Sequence, residues 1–200
     1  GDEVVVLEPS WPSYAGFVRL AGGIPVPVSL HGPDFGPSRA DLEARLTDRT
    51  KMVLVNSPNN PTGAVYSQNC LIELARLAKE HGFLVLTDEV YEKIVFDGHR
   101  HFSIASRSEF KDSTITVNSF SKTYAMTGWR IGYVAANEAI TSSIRKMHGS
   151  MASCAPSSAQ RAALEALSGP QDCIDVMNEE YRRRRDLICL LYTSPSPRDR

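Results

Sequence analysis

The sequence lacks a surplus of either charge. Lys and Arg number 22 against 23 Asp and Glu, a formal net charge of −1. A chain this close to neutral has no bulk electrostatic pull toward nucleic acid or an anionic lipid surface. No apolar run approaches the roughly 18 residues of a membrane-spanning helix. Cysteine is sparse: Cys70, Cys154, Cys173 and Cys189 are the four in the chain. None is in C-x-x-C spacing and no Cys/His cluster has zinc spacing. The thiols therefore read as reduced and half-buried, which fits a cytoplasmic protein. No internal repeat, initiator Met or signal peptide is visible. The chain opens mid-element at Gly1-Asp2-Glu3-Val4, as the inside of a longer protein would. Its apolar content of 42% and charged content of 22% are ordinary for a soluble globular protein, and 200 residues can enclose a sizeable core.

Strand-like and helix-like segments alternate along the chain. Asp2 to Leu7 reads as a buried strand, ended by Glu8-Pro9-Ser10-Trp11-Pro12. Tyr14 to Leu20 reads as a short helix closed by Gly22-Gly23, and Ile24 to Leu30 as an edge or irregular strand because of Pro25 and Pro27. Ser38-Arg39-Ala40-Asp41 resembles a capping box with Leu42 and Leu46 inward. Lys51 to Asn56 is a strand that runs into the dense turn signal Asn56-Ser57-Pro58-Asn59-Asn60-Pro61-Thr62-Gly63. Ser67 caps a helix with Leu71, Leu74, Ala75 and Ala78 on one face, and Gly82 closes it. Phe83 to Thr87 is a continuous apolar strand; a loop from about Asp97 to Lys111 follows. Thr114 to Asn118 and Arg130 to Ala135 are further strands. Asn137 to Met147, Ser157 to Leu167 and Asp172 to about Leu190 read as helices, the last with Ile174, Met177, Tyr181, Ile188 and Leu191 at near-heptad spacing. Arg182 to Arg185 are interleaved with acids and read as a solvated face. The pattern predicts an α/β fold: a three-layer α/β/α arrangement around a mainly parallel sheet.

Asn60, Asp88 and the pair Ser119/Lys122 each follow the C-terminal end of a strand. Ligands of open α/β sheets bind beyond those ends, so three strand exits point to one crevice. Ser119-Phe120-Ser121-Lys122 through Thr127-Gly128-Trp129-Arg130 gathers a lysine, two serines and an arginine. Lysine forms a Schiff base with an aldehyde; hydroxyls and an arginine fork suit a phosphate. An aldehyde carrying a phosphate describes pyridoxal 5'-phosphate (PLP). Asp88 could keep the ring nitrogen of that cofactor protonated. Tyr91 and Asn60 could donate to its phenolate oxygen, although a core tyrosine and plain turn chemistry are the simpler roles for them.

Three ordered stretches carry a resemblance. Asn56 to Gly63, Thr87-Asp88-Glu89-Val90-Tyr91, and Ser119 to Lys122 through Arg130-Ile131-Gly132-Tyr133 resemble the signature set of the fold-type-I, class I/II aminotransferases. The resemblance runs from the start to about Leu190. It implies that Lys122 forms the Schiff base and shuttles the proton at the substrate Cα, that Asp88 pairs the pyridine nitrogen, and that Tyr91 and Asn60 bond the phenolate oxygen. Ser119, Ser121 and Arg130 would hold the phosphate, and Trp11 would stack on the cofactor. The family's upstream phosphate turn and its carboxylate-gripping arginine are not in this sequence. The resemblance thus implies a large domain truncated at both ends: residues 1–170 a partial PLP-binding domain, 171–190 a helix leading toward a small domain, and 191–200 a non-native or disordered tail. It implies amino-acid and 2-oxo-acid substrates, a cytoplasmic homodimer when full length, no nucleic-acid or membrane partner, and no turnover by the 200-residue chain alone.

Rival readings share these residues. A PLP-dependent carbon–sulfur β-lyase would use the same lysine, aspartate and phosphate groups. A PLP-binding sensor domain of a transcription regulator would bind without turnover, and an inactive stray fragment would do neither. Asp97, His99 and His101 form a D-x-H-x-H without a fourth ligand, so no metal is expected there.

Overall fold

A computed structural model describes residues 1–32 and 34–193. Strands β1 (Glu3–Glu8), β2 (Ile24–Ser29), β3 (Thr50–Asn56), β4 (Leu84–Asp88), β5 (Thr114–Ser119) and β6 (Gly132–Ala135) form one sheet in the order β2-β1-β3-β4-β5-β6. The first five are parallel, and β6 runs antiparallel to β5. Helices α1 (Ser13–Leu20), α2 (Arg39–Glu43), α3 (Gln68–His81), α4 (Phe120–Thr123), α5 (Glu138–Met151), α6 (Ser157–Ser168) and α7 (Asp172–Thr193) complete the fold. The mainly parallel α/β reading is what the structure shows.

Local chemistry explains the element ends. The Ser67 hydroxyl accepts the Cys70 N–H at 3.2 Å, and Gly82 leaves α3 at φ 75°. That left-handed conformation costs a glycine nothing extra. Ser38 accepts the Asp41 N–H and starts α2. β2 pairs with β1 without a break from Ile24 to Ser29, so it is a regular edge strand rather than an irregular one. Pro25 and Pro27 have the same parity along β2, so their missing donors fall together on one side of the strand. An edge strand tolerates that on its free side.

The core lies on one face of the sheet. Leu71, Leu74, Ala75, Leu77 and Ala78 of α3 pack with Val5, Val53, Val55 and Val85 of the central strands. Burying a leucine in this way is worth about 1.5–3 kcal/mol. The segment expected as a plain loop after Asp97 holds two short 3₁₀ turns, Ile104–Ser106 and Ser108–Ser113. Ile104 and Phe110 from these turns are buried in the same core. On the opposite face, Tyr14 of α1 packs with Val6 and Leu54.

The C-terminal part is more open. All four β6 residues are exposed, α5 buries no residue, and α6 buries only Ala159 and Ala163. Ile174 of α7 is buried, while Tyr181, Ile188 and Leu191 are exposed. Helix α7 continues to Thr193, into the stretch expected as tail; residues 194–200 lie outside the described residues. Its arginines are spent on carboxylates. Arg182 pairs with Glu179, Arg183 and Arg184 with Glu180, and Arg185 with Asp97. The thiol reading needs correction, because Cys154, Cys173 and Cys189 are exposed and only Cys70 is half-buried. No helix among the described residues is long and apolar enough to cross a membrane.

Candidate active site

The C-terminal ends of the parallel strands supply the site, and turn chemistry fixes each one. At the β3 exit, Asn56 is the organiser. Its amide donates to the Pro58 carbonyl at 3.1 Å and to the Asp88 carbonyl at 3.0 Å, and its Oδ1 accepts the Asn60 N–H at 2.8 Å. One buried side chain therefore ties the turn carrying Asn60 to the exit of β4. Asn59 accepts from Thr62, and Ser57 accepts the Tyr66 N–H at 2.9 Å, so the rest of the turn is satisfied internally.

At the β4 exit, Asp88 and Glu89 part company. Asp88 is half-buried. Its Oδ2 accepts from the Tyr14 hydroxyl at 2.7 Å and its Oδ1 from the Val90 N–H at 3.2 Å. Glu89 is buried and takes hydrogen bonds from the Thr87 and Ser103 hydroxyls, with His101 Nε2 at 3.0 Å. Because Glu89 anchors the chain, Asp88 is held at a fixed height beside it.

At the β5 exit, Ser119 caps the short helix α4. Its Oγ accepts the Ser121 N–H at 3.1 Å and bonds the Ser121 hydroxyl at 2.9 Å. Phe120 and Thr123 are buried and anchor the turn, and Lys122 projects from between them. The Lys122 amine lies 5.9 Å from the centroid of the Tyr91 ring. The antiparallel β6 sets Gly132 opposite Ser119. A Cβ on Gly132 would stand 2.6 Å from the Asn118 carbonyl oxygen, so the strands can approach this closely only at a glycine. That approach returns Arg130, two residues upstream, to the same end of the sheet. Arg130 Nη1 donates to the Thr127 carbonyl at 2.9 Å.

The eight residues singled out in the sequence, Trp11, Asn60, Asp88, Tyr91, Ser119, Ser121, Lys122 and Arg130, all line one crevice of about 370 Å³. Six more residues line it without having been singled out: Tyr14, Asn56, Val90, Val117, Asn118 and Thr127. Tyr14 was read only as the start of a short helix, and Asn56 only as part of a dense turn signal. The missed signal was a fourth strand exit, that of β1, with a polar aromatic just beyond it. Trp11 is 41% exposed, and its ring meets Tyr14 edge-on at 5.4 Å.

Two phenols in the crevice are held as donors. Burial first, and then the charge of Asp88, keep the Tyr14 hydroxyl well above the ordinary phenol range. The same two causes, in the same order, raise Tyr91. The donor set fits PLP. A carboxylate that accepts a hydrogen bond from a phenol, an amine, two mutually bonded hydroxyls and a guanidinium all line the same crevice. Asp97, His99 and His101 do not gather. Asp97 pairs with Arg185, and His101 pairs with Glu89. The potential ligand atoms of Glu89, Glu92 and His101 lie within 4.8 Å of one another. Glu89 is already satisfied by Thr87, Ser103 and His101, so the group reads as a structural brace.

The sequence model of the family "Aminotransferase class I and II" matches residues 1–192. The chain is 41% identical over 190 residues to an aspartate aminotransferase of Bacillus sp. (strain YM-2), covering 94% of this chain and 48% of that protein. It is 43% identical over 192 residues to an aspartate/prephenate aminotransferase of Thermus thermophilus, covering 94% and 49%. The crystal structure of an aromatic aminotransferase from Pyrococcus horikoshii superimposes with a TM-score of 0.91 at 43% identity, covering 94% of this chain and 51% of that one. The chain thus spans about half the length of the curated relatives it matches.

Proposed function

Because the chain belongs to the class I and II aminotransferase family, we propose that the complete protein is a PLP-dependent aminotransferase that moves an amino group from an amino acid to a 2-oxo acid. The carrying observation is that Lys122, Asp88, Tyr91, Asn60, Ser119, Ser121 and Arg130 line one crevice although they come from three strand exits. Lyase and sensor-domain readings are not favoured, since the relatives named above are aminotransferases.

When bound, the cofactor supplies an electron sink that makes the substrate's Cα–H acidic. Lys122 would hold it covalently, and its freed amine would take up and return the proton at Cα. Asp88 would face the ring nitrogen and Tyr91 and Asn60 the phenolate oxygen. Ser119, Ser121 and Arg130 would grip the phosphate, with Trp11 against the ring. Residues 1–170 are then the cofactor-binding part, and α7 leads toward a second, smaller domain. A cytoplasmic homodimer is the assembly that goes with this reading.

The test uses protein expressed from the complete reading frame. Aspartate and aromatic donors, each with 2-oxoglutarate, should yield glutamate over many turnovers, and Lys122→Ala should abolish it. Release of pyruvate and ammonia without an acceptor would instead establish a lyase.

A further inference from the structure

Tyr14 reaches across the sheet. It lies in the first turn of α1 just beyond β1, yet its partner Asp88 ends β4, and β3 lies between these strands. The bond therefore spans two strand spacings, roughly 9–10 Å, which only a long side chain covers. Tyr14 is 6% exposed and its ring is wedged among Val6, Leu54 and Trp11, so the hydroxyl has little freedom. We infer that Tyr14 is a positioning residue whose hydroxyl fixes the orientation and charge of the Asp88 carboxylate where it meets the cofactor's ring nitrogen. This rests on the PLP reading of the site.

Three observations support it. The 2.7 Å contact is a full hydrogen bond, and each Asp88 oxygen has one fixed donor, Tyr14 on Oδ2 and the Val90 N–H on Oδ1. With both oxygens tethered, the carboxylate plane cannot turn freely about its bond to Cβ. The phenol stays protonated at ordinary pH, so it acts toward Asp88 as a donor. A hydrogen bond donated to a carboxylate favours its charged form and is among the stronger kinds. Without that donor, a proton shared between Asp88 and the ring nitrogen moves toward Asp88.

The experiment uses protein from the complete reading frame and the variant Tyr14→Phe, which keeps the ring and removes the hydroxyl. PLP affinity should fall about tenfold, the loss of one charge-assisted hydrogen bond. The pH midpoint of the bound cofactor's visible absorption should rise by about 0.5 unit. The kcat should fall about tenfold while the KM for the amino donor stays within about twofold. A merely packing role would move thermal stability and leave the absorption midpoint at its wild-type value; that result overturns the inference. Should Tyr14→Phe fail to fold, 3-fluorotyrosine installed at position 14 keeps the test alive. It is a stronger donor of nearly the same size, so the midpoint should move down, and an unmoved midpoint overturns the inference. A wild-type protein with no cofactor band would overturn the PLP reading and this inference with it. A normal wild-type band with an unchanged variant overturns this inference alone.

Discussion

Helices α3 and α5 are both 14 residues long, both capped at the N-terminus by a side chain, and both apolar along one face. In the fold they differ. Five residues of α3 are buried and none of α5 is. The reason lies in what each faces. Helix α3 covers the central parallel strands and is itself covered by the turns holding Ile104 and Phe110. Helix α5 follows β6, a four-residue strand whose side chains are all exposed. Caps and periodicity are local properties, whereas burial depends on a second surface that local sequence does not contain. The candidate site belongs with α3, since Asn60 and Asp88 leave the strands that α3 covers.

The largest expected effect is at the site. Asp88→Ala should leave PLP bound but slow Cα proton transfer by several kcal/mol in transition-state terms, about the size expected for a preorganised electrostatic group. Single-turnover half-transamination measures it, and near-normal rates would make Asp88 a turn residue only. A paired comparison then sharpens the contrast between the helices. Leu74 in α3 is 1% exposed and Met147 in α5 is 66% exposed. By urea unfolding of the 200-residue chain, Leu74→Ala should cost about 2–5 kcal/mol, and Met147→Ala should stay within about 0.5 kcal/mol. Equal costs would break the comparison and mean that α5 is covered in solution.

Next comes the brace beneath the site. His101→Ala removes one partner of the buried Glu89 carboxylate and should destabilise the fold by about 1–3 kcal/mol. Unchanged stability would mean that Glu89 finds water instead. The last prediction concerns reactivity rather than stability, at the thiols. Burial pushes Cys70 up to about 11, while Cys154 is exposed. A raised value means less thiolate at any pH below it, so at pH 8 Cys70 should alkylate roughly a hundredfold more slowly than Cys154. Timed labelling with mass spectrometry checks it, and equal rates would contradict the burial.

Much of this was readable along the chain, and the gaps have physical causes. Lys122, Asp88 and Asn60 were legible because continuous apolar strands end abruptly in turn residues, and those ends are where ligands bind. Tyr14 was not, because its spacing fits an apolar helix position and its partner is far away in sequence. His101 was read beside its neighbours Asp97 and His99 as a false metal motif, because its real partner, Glu89, belongs to another segment. The direction of β6 was also hidden: four residues with no hairpin turn before them carry no orientation signal. The exposure of α5 was invisible for the reason given above.

The central claim is that the strand-exit crevice holds PLP through Lys122. The direct measurement is borohydride reduction of the PLP-loaded protein, made from the complete reading frame, followed by peptide mapping. The account predicts the reduced cofactor on Lys122 and its disappearance in Lys122→Ala. Label on Lys51, Lys79, Lys93 or Lys146 in place of Lys122 would contradict it.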